Sequence, residues 1–271
     1  MPFLRLALFL ALLFAGLLGS LVFSLPFPGS RDARLSRLRM ALCRSGCRIV
    51  GLKVRLEGAP PAKAALLVGN HISWTDILAL GSVAPVFFVA RHDLVDWPGV
   101  GALARLHGTL FLERGRRRQI PQVNRAIANR LAKGGLVALF PEATTGDGTR
   151  LLKFHAAHFA AARDLLRASL HLSDVRIAPF ALGYTRRHGL PLGRFARSDV
   201  AWYGETTLFP HLLQLLRDGG VECRVVFGPA MTFRRDSERK AVAAAARALV
   251  KVEFDAMVAG KTRVPLPAGG V

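Results

Sequence analysis

The chain has 271 residues, 51% of them hydrophobic, and carries a formal net charge of +20 with an isoelectric point near 11.5. That length accommodates one large α/β domain with an appendage, or two small domains, and the apolar fraction is enough for a sizeable core. The three cysteines, Cys43, Cys47 and Cys223, form no framework and have no zinc-ligand company, which argues against a secreted disulfide scaffold and for small apolar residues in a reducing compartment.

So basic a protein is drawn to polyanions: nucleic acid, an anionic membrane surface or phosphorylated substrates. The mean hydropathy of +0.31 pulls towards the membrane. No RNA-binding aromatic signature and no zinc-finger spacing supports nucleic acid.

Leu6 to Leu25 is twenty residues without a charge. As a helix it would reach about 30 Å, the thickness of the hydrocarbon core. Pro26 and Pro28 then stop it. Three arrangements compete: a spanning helix, half of a re-entrant hairpin in one leaflet, or a signal peptide. The last is disfavoured by the lone Arg5 before the run and by Arg31, Arg34, Arg37, Arg39, Arg44 and Arg48 after it. Arginine there resists translocation, so all that follows should be cytoplasmic. Arg34 to Val50 places Leu35, Leu38 and Leu42 on one helical face. It reads either as an interfacial helix, leucines in the acyl boundary and arginines at lipid phosphates, or as a helix packed on the domain that follows.

From about residue 51 short strands alternate with helices. Strands are expected at Val50–Leu56, Ala64–Val68, Val86–Ala90, Thr109–Leu112, Leu136–Phe140, Val175–Leu182 and Val221–Phe227. Helices are expected at Ile120–Leu131, His155–Ala168, Leu208–Leu216 and Ser237–Met257. The alternation implies an α/β fold, a single mixed or mostly parallel sheet covered by helices, behind an N-terminal membrane-associated helical segment. Val264–Val271, with two prolines and a glycine pair, reads as trailing disorder.

The chemistry gathers at strand ends. Gly69-Asn70-His71-Ile72-Ser73-Trp74-Thr75-Asp76 follows an apolar strand and precedes a helix opening at Ile77. Open α/β folds place ligands on such turns. His71 can take a proton near neutral pH, and a carboxylate on its other ring nitrogen would fix the tautomer. Five positions exceed helical neighbour spacing, so the turn must fold back for Asp76 to reach His71. Alone, the pair is better read as a histidine capping the turn and an aspartate capping the next helix. Three more blocks follow: Gly108 to Arg114 with Phe111 at its centre, Phe140-Pro141-Glu142-Ala143-Thr144-Thr145-Gly146-Asp147, and a strand around Pro179. A proline in a strand implies an edge or a bulge.

In this order and at these separations the four blocks resemble the glycerolipid acyltransferase family, the bacterial lysophosphatidate acyltransferases among them. The resemblance covers roughly residues 65 to 230. The family's N-H-x4-D is matched by Asn70, His71 and Asp76, its G-x-x-F-x-x-R by Gly108, Phe111 and Arg114, and its F-P-E-G-T-R at Phe140, Pro141, Glu142 and Thr144. Ala143 stands in place of that block's glycine and Thr145 in place of its arginine, which helps to hold the acceptor phosphate in many members. The loss puts lysophosphatidate in doubt. Thr144 to Gly148, Trp202-Tyr203-Gly204 and Pro210-His211-Leu212 resemble the branch that includes lyso-ornithine lipid acyltransferases. Arg91, Arg114 and Arg116 to Arg118 still offer cations for a phosphate, although the triple arginine reads equally as a solvated face.

The apolar run and the basic helix mark residues 1–50 as a membrane anchor, the Pro- and Gly-rich end marks 261–271 as a tail, and the resemblance implies that 51–260 between them is an acyltransferase domain. It implies transfer of a fatty acyl group from acyl carrier protein or acyl-CoA to the free hydroxyl of a lysolipid, with 1-acyl-glycerol-3-phosphate the first expectation and a lyso-ornithine lipid the alternative. His71 would be the general base and Asp76 its support. Asn70, Arg91, Gly108, Phe111, Arg114, Phe140, Pro141, Glu142, Thr144, Thr145 and Pro179 would form the substrate site, with Arg114 and Glu142 at the head group and Pro179 in its wall. Ser73 as a nucleophile is the sharper alternative, though the G-x-S-x-G elbow is absent. No cofactor or metal is implied, since the acyl thioester is a co-substrate. The expected partners are the lysolipid, the acyl donor and an anionic membrane surface, without nucleic acid. The expected location is the cytoplasmic face of the inner membrane. Acyl carrier protein is generally acidic, so the basic charge would steer it.

Overall fold

In the computed structural model, which describes residues 2–25, 30–97, 99–112, 120–169 and 172–261, the architecture is built around one strand. Ala65–Gly69 (β2) is buried at every position. Leu67 faces one core and Leu66 and Val68 face the other. A strand covered on both faces must be apolar throughout, which explains its continuous hydrophobic run.

Four further strands extend the sheet in parallel. Leu136–Leu139 (β5) and Asp174–Arg187 (β6) flank β2, Val86–Arg91 (β3) lies beyond β5, and Leu110–Leu112 (β4) closes that side. On the other side Val221–Phe227 (β8) runs antiparallel to β6, and Leu52–Glu57 (β1) runs parallel to β8. Two short strands, Leu190–Pro191 (β7) and Met231–Arg234 (β9), pair antiparallel with β6. The sheet is therefore mixed and mostly parallel, as expected.

One face carries Arg31–Val50 (α2), Thr75–Val83 (α3) and Leu208–Asp218 (α8), whose buried Val50, Ala79, Leu80, Leu212 and Leu216 form the first core with β1, β8 and β6. The other face carries Ile120–Ala132 (α5) and Ala160–Ala168 (α6), joined by the Arg239–Val258 helix (α9). Val100–Leu106 (α4) and Arg194–Ser198 (α7) were not expected, nor were β7 and β9. The turn between β6 and β7 is His188-Gly189, both at positive φ, which the short hairpin turns require.

Pro179 lies at neither an edge nor a bulge. It pairs with Val68 inside the sheet, where the neighbour on the other side changes from β9, ending at Ile177, to β8, beginning at Phe180. The ring lacks an N–H where no strand would accept one. Its carbonyl accepts from Gly228 N at 2.9 Å. The irregularity in β6 comes later, between Tyr184 and Arg186.

The apolar N-terminal segment is one helix, Pro2–Phe23 (α1). It lies against the domain along its length. Arg5 Nη1 donates to Leu216 O at 3.1 Å, Phe9 meets Trp74 edge-on at 6.5 Å, and Ser20 reaches His107 Nε2 at 3.0 Å. Phe3, Leu10, Phe14, Leu18 and Leu21 are exposed on the opposite face.

The interfacial reading of α2 is corrected. Ser30 caps the helix, which begins at Arg31, three residues before the expected start. Leu35 is buried, Leu42 packs on Gly16 of α1 and Leu38 on Gly19, so the leucine face meets protein. One of its arginines also turns inward: the buried Arg39 donates to His107 O at 2.8 Å, while the exposed Arg44 reaches back to Ser82 O at 2.9 Å. The expected tail beyond residue 261 lies outside the described residues.

Candidate active site

The carboxyl end of β2 is where the chain turns back on itself. Gly69 is forced there, because a Cβ would sit 2.5 Å from the Phe180 ring and carbonyl. Asn70 then extends the β2–β6 ladder with its side chain. Its Nδ2 donates to Leu182 O at 2.9 Å and its Oδ1 accepts from Leu182 N at 2.8 Å. It is 1% exposed and both ends of its amide are occupied, so Asn70 is a structural brace rather than a substrate ligand.

His71 is held on four sides. Its N–H donates to Glu142 Oε2 at 2.7 Å, its carbonyl accepts from Gly146 N at 2.8 Å, and its Nδ1 lies 2.8 Å from Asp76 Oδ2. Phe140 stacks on the imidazole, centroids 4.0 Å apart and planes 13° from parallel. Asp76 sits in the first turn of α3, where a carboxylate is favoured by the helix dipole. Its Oδ2 also accepts from Ile72 N at 2.7 Å and Ser73 N at 3.0 Å, and this folding-back of the turn bridges the five-residue spacing. A carboxylate on Nδ1 fixes the Nδ1–H tautomer and leaves the Nε2 lone pair for substrate. The ring is about one-fifth exposed (19%) while Asp76 is wholly buried.

Glu142 takes a different part from the expected head-group ligand. Oε2 accepts from His71 N, Oε1 accepts from Leu152 N at 2.6 Å, and the residue is 4% exposed. Both oxygens are committed to the backbone, so it clamps the turn. Burial pushes its carboxyl up to about 7, opposed by those two N–H donors and reinforced by nearby Asp76. Ser73 is likewise no nucleophile: it is fully buried, and its Oγ accepts from Thr75 N at 3.4 Å.

The remaining expected residues divide. Pro141 is buried and its carbonyl accepts from His155 N at 2.9 Å. Thr144 is exposed and Thr145 half-buried, on the loop whose Gly146 holds His71. Pro179 is buried inside the sheet, which removes it from a pocket wall. Gly108 precedes β4, at the end of the parallel strands opposite His71. Its φ is 71° and a Cβ would meet Arg130 at 2.4 Å, so its requirement is conformational rather than substrate contact. Phe111 pairs with Ala90 across β4 and β3, and Arg91 ends β3. Arg114 and Arg116 to Arg118 lie outside the described residues.

Several contacts had no local signal. Tyr184 donates its hydroxyl to Asp76 Oδ1 at 2.6 Å across 108 residues. Trp202 N donates to Ile72 O at 2.9 Å, and Trp74 Nε1 donates to His211 Nδ1 at 2.9 Å, so two later segments close on the same turn. No cluster of metal-ligating side chains occurs among the described residues.

A protein-family model described as acyltransferase matches residues 52–183. A lyso-ornithine lipid O-acyltransferase of Rhizobium meliloti is 44% identical over 200 residues, covering 73% of this chain and 68% of that protein. One of Brucella abortus is 40% identical over 201 residues, 72% and 73% of the two chains. A 1-acyl-sn-glycerol-3-phosphate acyltransferase of Neisseria gonorrhoeae is 34% identical over 169 residues, 61% and 63%. The crystal structure of the 1-acyl-sn-glycerophosphate acyltransferase of Thermotoga maritima shares the fold, with a TM-score of 0.68 over 97% of this chain and all of that one at 18% identity.

Proposed function

This chain belongs to the acyltransferase family and is an enzyme that transfers an acyl group to a lysolipid; from that premise we propose that the acceptor is a lyso-ornithine lipid and that His71 is the general base. The observation that carries the acceptor is Thr145. It stands where the family's third block has arginine, and its neighbour Gly146 is bonded to the His71 carbonyl. A head group without phosphate has no need of that cation. Trp202 and His211, in the segments that resemble the lyso-ornithine branch, close on the same turn.

In the proposed step Nε2 of His71 takes the proton of the acceptor hydroxyl as its oxygen attacks the thioester carbonyl. The tetrahedral intermediate collapses, the carbon–sulfur bond breaks, and the imidazolium returns its proton to the leaving thiolate. Asp76 stabilises the imidazolium. Phe140, face to face with the ring, offers its π-cloud to the same charge. The donor is acyl carrier protein or acyl-CoA, both thioesters, and neither cofactor nor metal enters the step.

The exposed face of α1 would lie in one leaflet of an anionic membrane, the inner membrane, with the domain on the cytoplasmic side. A spanning helix would have to leave the domain, whereas α1 touches it from Arg5 to Ser20.

The test offers purified protein a labelled acyl donor with lyso-ornithine lipid or with lysophosphatidate. Label in ornithine lipid is expected, and label only in phosphatidate overturns the acceptor. His71→Ala and Asp76→Asn should each lower kcat by about 10²–10⁴-fold while vesicle binding persists. Near-normal turnover by His71→Ala refutes the base.

A further inference from the structure

Asp76 is fully buried, and a buried carboxylate needs a donor on each oxygen. Oδ2 is served by His71, Ile72 and Ser73. Oδ1 is served by the Tyr184 hydroxyl at 2.6 Å. Tyrosine has one proton and directs it to the carboxylate, so its oxygen accepts from Thr75 Oγ1, also at 2.6 Å. Tyr184 is 3% exposed, and β6 breaks register just beyond it, between Tyr184 and Arg186. Irregularities of this kind re-aim side chains beside functional sites. A phenylalanine would fill the same space among core residues; only the hydroxyl is explained by the carboxylate.

We propose that Tyr184 is a positioning residue for acyl transfer: its hydroxyl, held by Thr75, pins Oδ1 of Asp76 so that Oδ2 stays in line with Nδ1 of His71. The inference rests on the reading of His71 as base. Burial, with Asp76 beside it, raises the Tyr184 phenol well above its ordinary range, so it remains a donor at working pH. The other titratable groups about the carboxylate are His71 on its own turn, Cys223 from β8 and Glu142 after β5. Cys223 is kept neutral, because burial raises its thiol well above the usual range. Glu142, raised to about 7 by burial and in part by Asp76, titrates in the same range, so wild type and Tyr184→Phe are also compared in a Glu142→Gln background. A donor on a carboxylate favours the charged form. Without it the Asp76–His71 pair binds a proton more readily, and the base is lost at a higher pH.

Tyr184→Phe, Thr75→Val and His71→Ala are assayed beside wild type for kcat, acceptor KM, the pH profile of kcat/KM and the melting transition. For Tyr184→Phe, kcat should fall about 10–100-fold, the range set by a hydrogen bond to a charged group, with KM nearly unchanged and the acidic limb moved to higher pH. Thr75→Val, which leaves the Tyr184–Asp76 bond in place, should show a smaller loss in the same direction. A folded Tyr184→Phe enzyme with wild-type kcat, or one that loses kcat with no movement of the limb, overturns the proposal. Should Tyr184→Phe fail to fold, Thr75→Val decides, and an unchanged kcat and limb overturn it. An active His71→Ala refutes the base itself, whereas a dead His71→Ala beside a normal Tyr184→Phe refutes only the role of Tyr184.

Discussion

At the scale of single residues, the motif carries two kinds of information that sequence does not separate. His71 and Asp76 were legible as a pair only with the three blocks that follow, because the eight residues from Gly69 to Asp76 by themselves read as two caps. Glu142 was legible as important and misread in role, since a carboxylate that binds a head group and one that binds two backbone N–H groups look alike in a string of letters. Tyr184 was illegible, because its partner is 108 residues away. Ala143 shows what a departure from the motif does. Its φ is 59°, in the left-handed region that favours glycine. Ala143→Gly should raise stability by about 0.5–1 kcal/mol, read as a higher Tm, with the acyltransfer rate unchanged. Glu142 gives a pH dependence of definite sign. Burial moves its carboxyl from 4.5 to about 7, so the folded protein holds a proton that the unfolded chain releases. Its stabilising contribution is full below about 4.5 and lost as pH rises through about 7. Wild type should therefore lose Tm relative to Glu142→Gln between pH 5 and pH 8, approximately the window between those values. Thermal melts at several pH values would show parallel curves if the group did not titrate there.

At the scale of elements, long periodic stretches were read well and short ones were not. The seven expected strands, β1 to β6 and β8, and the helices α5, α6, α8 and α9 were legible because burial imposes apolar pattern and length together. β7 and β9 have two and four residues, and α7 five, too few for a period to show. Pro179 was misjudged because the rule about proline assumes one neighbour along each side of a strand, whereas β6 changes neighbours at that point. The two faces of α1 were also beyond a hydropathy reading. Its inner face carries Gly16, where an added Cβ would come within 3.0 Å of Leu42, and Ser20. The Ser20 hydroxyl donates to Gly16 O at 2.6 Å and so accepts from His107 Nε2. Burial, with Arg39 nearby, lowers that imidazole to about 4 and keeps it neutral. Ser20→Val should leave the Nε2–H without its acceptor and lower stability by about 1–3 kcal/mol in denaturant unfolding. Leu18→Ser, on the exposed face, should leave the unfolding midpoint near wild type and weaken vesicle binding in flotation. Equal effects on stability would mean that the faces are misassigned.

At the scale of the whole molecule, the charge was plain from composition, but its distribution was not. Of the basic segment Arg39 serves the interior, while Arg31, Arg37, Arg44 and Arg48 stay on the surface. Surface cations act through screened fields. Raising ionic strength from about 0.01 M to about 1 M shortens the Debye length from about 30 Å to about 3 Å. The KM for an acyl carrier protein donor should then rise severalfold with little change in kcat, while a salt-independent KM would dismiss steering. Binding to vesicles of anionic lipid should weaken over the same range and retain an apolar remainder.

The clasp on the first helix also bears on synthesis. Arg5 closes onto the carbonyl of Leu216, a partner made 211 residues later. Until the ribosome has delivered α8, the greasy N-terminal rod has no finished cradle, and the lipid surface is the natural place for it to wait. Nascent chains arrested before Leu216 should therefore cling to vesicles or chaperones more tenaciously than the completed enzyme.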